Sequence, residues 1–175
     1  RIKGSVLFNC AGGLVSFRTE ELPVFLRPVQ WFFNNVVLGD AFGPIFFRNF
    51  KTRANVTKVL QKVYIKQDEV TEELVDILLA PSDDEGACEV FLKVFRGPPG
   101  PTPESILPNI KIKILSIWGE NDPWTPLNSG LHPGIKFGDY CPHLELLVLK
   151  ETAHCPHDER PAECNEAIVD FMSKL

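Results

Sequence analysis

The sequence lacks most of what marks the specialised protein classes. It has no block of basic residues: 18 lysines and arginines are outnumbered by 23 acidic side chains, for a net charge of −5. That balance leaves no electrostatic footprint for nucleic acid. Long apolar runs are also missing. One charge-free apolar stretch, Pro28 to Gly39, has twelve residues and includes Asn34 and Asn35, too short and too polar to span a bilayer. Cysteine is sparse and odd in number. Cys10, Cys88, Cys141, Cys155 and Cys164 form no even framework, so free thiols in a reducing compartment are expected rather than a disulfide scaffold. No signal or transit segment precedes the first apolar run, and the first residue is Arg1 rather than Met. A processed product or a piece of a larger gene product is the expectation.

What is present is ordinary for a globular chain. Hydrophobic residues make up 44% and charged residues 23% of 175 positions, enough length to bury roughly two-thirds of the unfolded surface in one domain. Fifteen prolines and twelve glycines predict many interrupted segments, with no repeat period or heptad pattern.

Along the chain, Ser5 to Cys10 reads as a short buried strand running into a turn at Ala11-Gly12-Gly13. From about Glu20 to Arg96 the period becomes helical. Leu22, Phe25, Val29, Phe32 and Val36 mark one face of a helix broken or delayed by Pro23 and Pro28. Val56, Val59, Leu60, Val63 and Tyr64 form a stripe behind Thr52 as N-cap. Thr71 caps a third segment, with Leu74, Val75, Leu78 and Leu79 inward. Ser82-Asp83-Asp84-Glu85 has capping-box spacing ahead of Ala87, Val90, Phe91, Val94 and Phe95. Gly97-Pro98-Pro99-Gly100-Pro101 stops that helix. Ile110 to Trp118 and Leu144 to Leu149 are strand-like, 128–138 holds a weak helix interrupted by Pro133 and Gly134, and Pro161 opens a last helix with Cys164, Ile168 and Phe171 on one face. Apolar strands alternating with helices predict an α/β fold with parallel strands covered on both faces.

Two acid/base residues fall just past the ends of consecutive predicted strands: Asp122 after Trp118, and His154 after Leu149. Ligands bind at that edge of an open α/β sheet, and a carboxylate that accepts from a histidine fixes its tautomer. Each residue also has a local explanation, Asp122 as a turn former before Pro123 and His154 as a surface histidine.

The strings around them carry more. I-W-G-E-N-D-P-W-T-P, followed about thirty residues later by A-H-C-P-H-D-E-R-P, resembles the end of an α/β-hydrolase, in which the triad acid follows the seventh strand and the histidine the eighth. The resemblance implies that Asp122 is the acid and His154 the base. It also implies that L-F-N-C-A-G-G is the sixth strand, followed by a helical cap insertion. The division it predicts is 1–19 for a core strand and turn, 20–100 for the cap and 101–175 for the remaining core. The cap string E-L-V-D-I-L-L-A-P-S-D-D-E-G-A and the following G-P-P-G-P are most similar to plant and cyanobacterial plastid-type members. These include the group of chlorophyll dephytylase and pheophytinase, which cleave the phytyl ester of chlorophyll pigments. A chloroplast location and a small-molecule apolar ester as substrate follow from that likeness alone, and no cofactor is implied.

The pattern departs from the family in one main respect. The nucleophile of this superfamily sits in G-x-S-x-G upstream of the sixth strand, and no such string occurs here. Ser5 and Ser16 flank the first strand without the required glycines. The sequence therefore resembles the C-terminal part of an α/β-hydrolase, with cap, acid and base but no nucleophile, and is expected to be inactive alone. Its first strand is expected to keep an unpaired edge, which is a pairing or aggregation site. Ala153 stands where relatives usually have Gly, and the stretch after Asp122 is short and broken by proline.

Other residues have two readings. Cys141, His143, His154, Cys155 and His157 offer soft ligands, but their spacing matches no common zinc motif, and no metal is expected. Asp158 and Glu159 lie where negative charge favours the N-terminus of the Pro161 helix. Trp31, Phe32, Phe33, Phe42, Phe46, Phe47 and Phe50 are either a core seam or an apolar lid over substrate, with peripheral membrane contact as a further use. Phe32 and Phe33 are the candidate substrate contacts in the cap. Trp124 either walls the pocket or packs beneath its loop. A non-catalytic, hydrolase-like product that binds an apolar ligand or partner is the competing functional class.

Overall fold

The computed structural model describes residues 2–10, 22–97, 100–130 and 132–175. The expected turn at Ala11-Gly12-Gly13, together with Ser16, Pro98 and Pro99, lies outside the described residues. Contacts divide the chain into two units: Arg1–Gly13, Leu60–Val70 and Pro101–Leu175 form one, and Leu14–Val59 with Thr71–Gly100 the other. Leu60–Val70, inside the stretch that sequence similarity assigns to the cap, thus groups with the sheet.

The sheet unit holds three parallel strands, β1 (Gly4–Phe8), β2 (Lys113–Gly119) and β3 (Leu144–Leu149), in the order β1-β2-β3. Val6 lies opposite Leu115, and Ile117 opposite Leu147. The central strand is buried from Ile114 to Gly119, as its near-continuous apolar run requires when both faces are covered. Side chains alternate along it. Ile114 and Trp118 pack with Leu107, Leu127, Phe137 and Cys141 on one face, and Leu115 and Ile117 with Cys164 and Phe171 on the other. Cys164 and Phe171 come from the last helix, Pro161–Ser173, which starts at a proline. Only short helical turns occupy the expected weak helix, Gly134–Lys136 and Phe137–Tyr140. A further turn that the periodicity did not signal, Pro156–Glu159, precedes the last helix.

The helical unit contains Arg27–Phe32, which widens into a π-helical turn at Phe33–Val37, then Gly43–Phe50, the start of Arg53–Val63, Glu72–Leu79 and Ala87–Arg96. Thr71 Oγ1 accepts from the Leu74 amide at 3.1 Å, the cap bond its position predicts. Thr52 does the same for Asn55 at 3.3 Å. The centre of the unit is aromatic: Phe91 packs with Phe46, Phe47, Phe50 and Phe95 at centroid distances of 4.7–6.4 Å.

One expectation here needs correction. The capping box at 82–85 does not form. Ala80–Asp83 is a 3-10 turn instead, and the helix begins after Gly86, whose φ of +83° only glycine adopts readily. The buried residue of that helix is Leu92 rather than Val90 or Val94, both of which are exposed. Phe25, Val29 and Phe32 are exposed, Phe25 by 76%, although the helix starts late, at Arg27, as Pro23 and Pro28 lead one to expect.

Candidate active site

The site is assembled where the three strands end. Beyond β1, Asn9 continues the parallel ladder by donating its amide to the Ile117 carbonyl at 3.0 Å. It then turns the chain with a φ of +39°, a conformation asparagine tolerates better than most residues. Beyond β2, Asp122 organises its own turn, its Oδ1 accepting from the backbone amides of Trp124 at 2.8 Å and Thr125 at 3.0 Å. Such Asx geometry explains why aspartate precedes Pro123 here. From inside the sheet, Trp118 Nε1 donates to the Thr125 carbonyl at 2.8 Å and ties the same turn to the core. Gly119 is required where the third strand's loop crosses the second: a Cβ there would collide with the carbonyl oxygens of Thr152 and Ala153.

The Asp122 and His154 side chains meet. Nδ1 of His154 lies 2.8 Å from Oδ2 of Asp122. The same oxygen accepts from the Thr125 hydroxyl at 2.5 Å and from the Asn9 side-chain amide. Burial opposes ionisation of Asp122, but hydrogen bonds from His154, Thr125 and Asn9 outweigh it and hold the carboxyl well below the usual carboxylate range. An ionised carboxylate can only accept, so Nδ1 carries the imidazole proton and Nε2 keeps a lone pair for an incoming proton. Asp122 is buried while the His154 ring is partly open, and the Trp124 ring stands beside the imidazole with centroids 5.1 Å apart.

Sequence reasoning passed over Asn9 and Thr125. Asn9 spans all three strand ends: its Nδ2 also donates to the Ala153 carbonyl at 3.2 Å, and its Oδ1 accepts from Gly119 at 3.0 Å. The signal available was a lone polar residue closing the apolar run S-V-L-F-N. For Thr125 it was the three-residue spacing from Asp122.

Phe32 and Phe33, the candidate substrate contacts of the cap, belong to the helical unit. Phe32 lines an open apolar cavity of about 380 Å³ with Val36, Val37, Phe42, Ile45, Phe46 and Asn49. Phe33 packs edge-on against Phe46 at 6.1 Å. Cys141 is wholly buried in the apolar core beside Trp118. Among the described residues, no three His, Cys, Asp or Glu side chains gather as a metal site, and none of the helices is long and apolar enough to cross a membrane.

Solved structures share the fold. The meta-cleavage product hydrolase CumD of Pseudomonas fluorescens IP01 superposes with a TM-score of 0.67 and 20% identity, over 99% of this chain and 57% of its own. MGS-M2, an α/β-hydrolase enzyme from a Medee basin deep-sea metagenome library, superposes with a TM-score of 0.63 and 16% identity, over 98% of this chain and 56% of its own.

The chain has the α/β-hydrolase fold.

In sequence, the uncharacterised hydrolase YugF of Bacillus subtilis (strain 168) is 27% identical over 130 residues, covering 73% of this chain and 45% of YugF. No family model matches. The chain therefore spans about half the length of the hydrolases it matches. In that fold, the edge carrying Asn9, Asp122 and His154 is the carboxyl end of a parallel sheet, where ligands bind.

Proposed function

We propose that this chain supplies the acid and base of a serine-type ester hydrolase, with Asp122 orienting His154 and His154 Nε2 taking the nucleophile's proton. The observation that carries it is the 2.8 Å bond between Asp122 and His154 at adjacent strand ends. The buried acid and partly open base fit those roles. No G-x-S-x-G occurs in the 175 residues, and this reading takes the nucleophile and oxyanion donors from polypeptide outside them. The hydrolases with which the chain shares its fold and distant sequence similarity support this assignment. For the substrate we propose an ester with a long apolar chain, supported by the cavity around Phe32. A phytyl ester of a chlorophyll-type pigment, handled in the chloroplast at a membrane surface, is the specific case favoured by the cap string of residues 73–87.

The test uses the whole-length protein. His154→Ala should lower kcat at least ~10³-fold with substrate binding largely kept, and Asp122→Asn should lower it comparably or less. Phe32→Ala with Phe33→Ala should raise KM for phytyl-like esters more than for acetate esters. Normal turnover by His154→Ala would overturn the mechanism. Equal effects on long and short esters would remove only the substrate. The missing nucleophile string also favours an alternative, a non-catalytic product that binds an apolar ligand. A whole-length protein that a serine-directed fluorophosphonate fails to label would support that alternative instead.

A further inference from the structure

Glu159 is the one acidic side chain, besides Asp122, that is buried among the described residues, and it is 0% exposed. The sequence places it where a carboxylate would stabilise the start of the last helix, but its oxygens are used elsewhere. Oε1 accepts from the amide of Ala153, the residue before His154, at 2.7 Å. Oε2 accepts from the amides of Ile65 at 2.7 Å and Lys66 at 3.0 Å. The Lys66 ammonium returns to the Glu159 carbonyl. The same segment holds His154 directly, the His154 amide donating to the Val63 carbonyl at 3.0 Å. Tyr64, between them, donates its hydroxyl to Asp158 at 2.7 Å.

We propose that Glu159 is a positioning residue for His154: its carboxylate clamps the loop after the third strand to residues 63–66 and so sets the ring's approach to Asp122. The proposal rests on the assignment of His154 as the base. Its physical basis is acceptor geometry. One carboxylate has an oxygen for each side of the clamp, and charge makes both bonds strong. Glutamine has the same shape but one oxygen. Whichever side that oxygen serves, its NH₂ faces a backbone N–H on the other and leaves that amide without an acceptor. Aspartate keeps the charge but is one methylene too short to reach both sides.

The test is NMR on the full chain, reading the low-field Nδ1 proton of His154 and the ring nitrogen shifts. In the unsubstituted chain the proton should be visible. In Glu159→Gln, and in Glu159→Asp, it should be lost to exchange, with ring nitrogen shifts moving toward those of a mobile imidazole. Phe171→Leu, which loosens the same unit from its buried helix face, should leave the proton in place and so separates positioning from general destabilisation. A folded Glu159→Gln chain that keeps the resonance overturns the proposal and leaves the His154–Asp122 pair standing. Absence of the resonance from the unsubstituted chain removes the pair itself, and this proposal with it. If neither Glu159 variant folds, hydrogen exchange in the unsubstituted chain decides. An Ala153 amide protected about tenfold or more beyond open loop amides supports the clamp, and one exchanging as fast as they do overturns it.

Discussion

The two units of the chain are ordered by different means. In the sheet unit, strand ends converge on buried polar groups, and Asn9, Asp122 and Glu159 find donors and acceptors far away in sequence. In the helical unit, order comes from capped amphipathic helices around a phenylalanine cluster, and many large apolar side chains remain exposed, including Phe25, Trp31 and Phe42. The difference teaches where precision resides. Directional bonds among buried groups allow few geometries. Non-directional apolar contact allows many.

The contrast can be broken by substitution, and the core offers the largest effect. Trp118→Ala should cost about 3–5 kcal/mol, through the lost ring and the cavity it leaves, because Trp118 is 1% exposed. Phe25→Ala in the helical unit should stay within about 0.5 kcal/mol. Denaturant unfolding of both variants checks this, and comparable losses would mean that the two units do not differ as described.

Next comes Asn9→Ala, which should cost about 1–3 kcal/mol by leaving the Gly119 amide without its acceptor and the Ala153 carbonyl without its donor. An unfolding free energy unchanged by this substitution would show that the strand ends are held without it.

Acid should act on the sheet unit through Asp122. Its carboxyl is held below the ordinary range when folded, so folding favours the charged form. That contribution is complete above the unfolded value of about 4 and is lost as pH falls toward the folded one. Asp122→Asn should therefore flatten the decline in stability below about pH 4. An acid limb identical in the two proteins would contradict the hydrogen-bond account.

The smallest effects belong to the surface of the helical unit. Thr71→Ala should cost about 1 kcal/mol through the lost cap, seen as reduced helicity. Arg53→Ala should cost about 1 kcal/mol or less, although Arg53 meets both Glu72 and Asp76.

How much could be seen beforehand follows the range over which each signal acts. The third strand occupies Leu144–Leu149, as the apolar run indicates, and Thr71 caps its helix, because both depend on neighbours within a few residues. The capping-box pattern at Ser82–Glu85 is equally local, yet Pro81 and Gly86 take the backbone into a tight turn instead. Asp122 and His154 were recognisable from the strings that end two strands. Asn9 and Glu159 were not. Asn9 meets Asp122 across 113 positions, and Glu159 meets Lys66 across 93, so no window of sequence holds both partners.

By itself, then, the sequence determined the alternation of strands and helices, the placing of Asp122 and His154 past two strand ends, and the apolar character of the helices between the first two strands. These follow from side-chain periodicity and short-range backbone chemistry. Only the tertiary structure decided that Asn9 braces Asp122, that Glu159 faces the loop before His154 rather than a helix end, and that residues 60–70 join the sheet. Each of these depends on which buried polar group finds which partner, and that choice is made when strands distant in the chain are brought side by side.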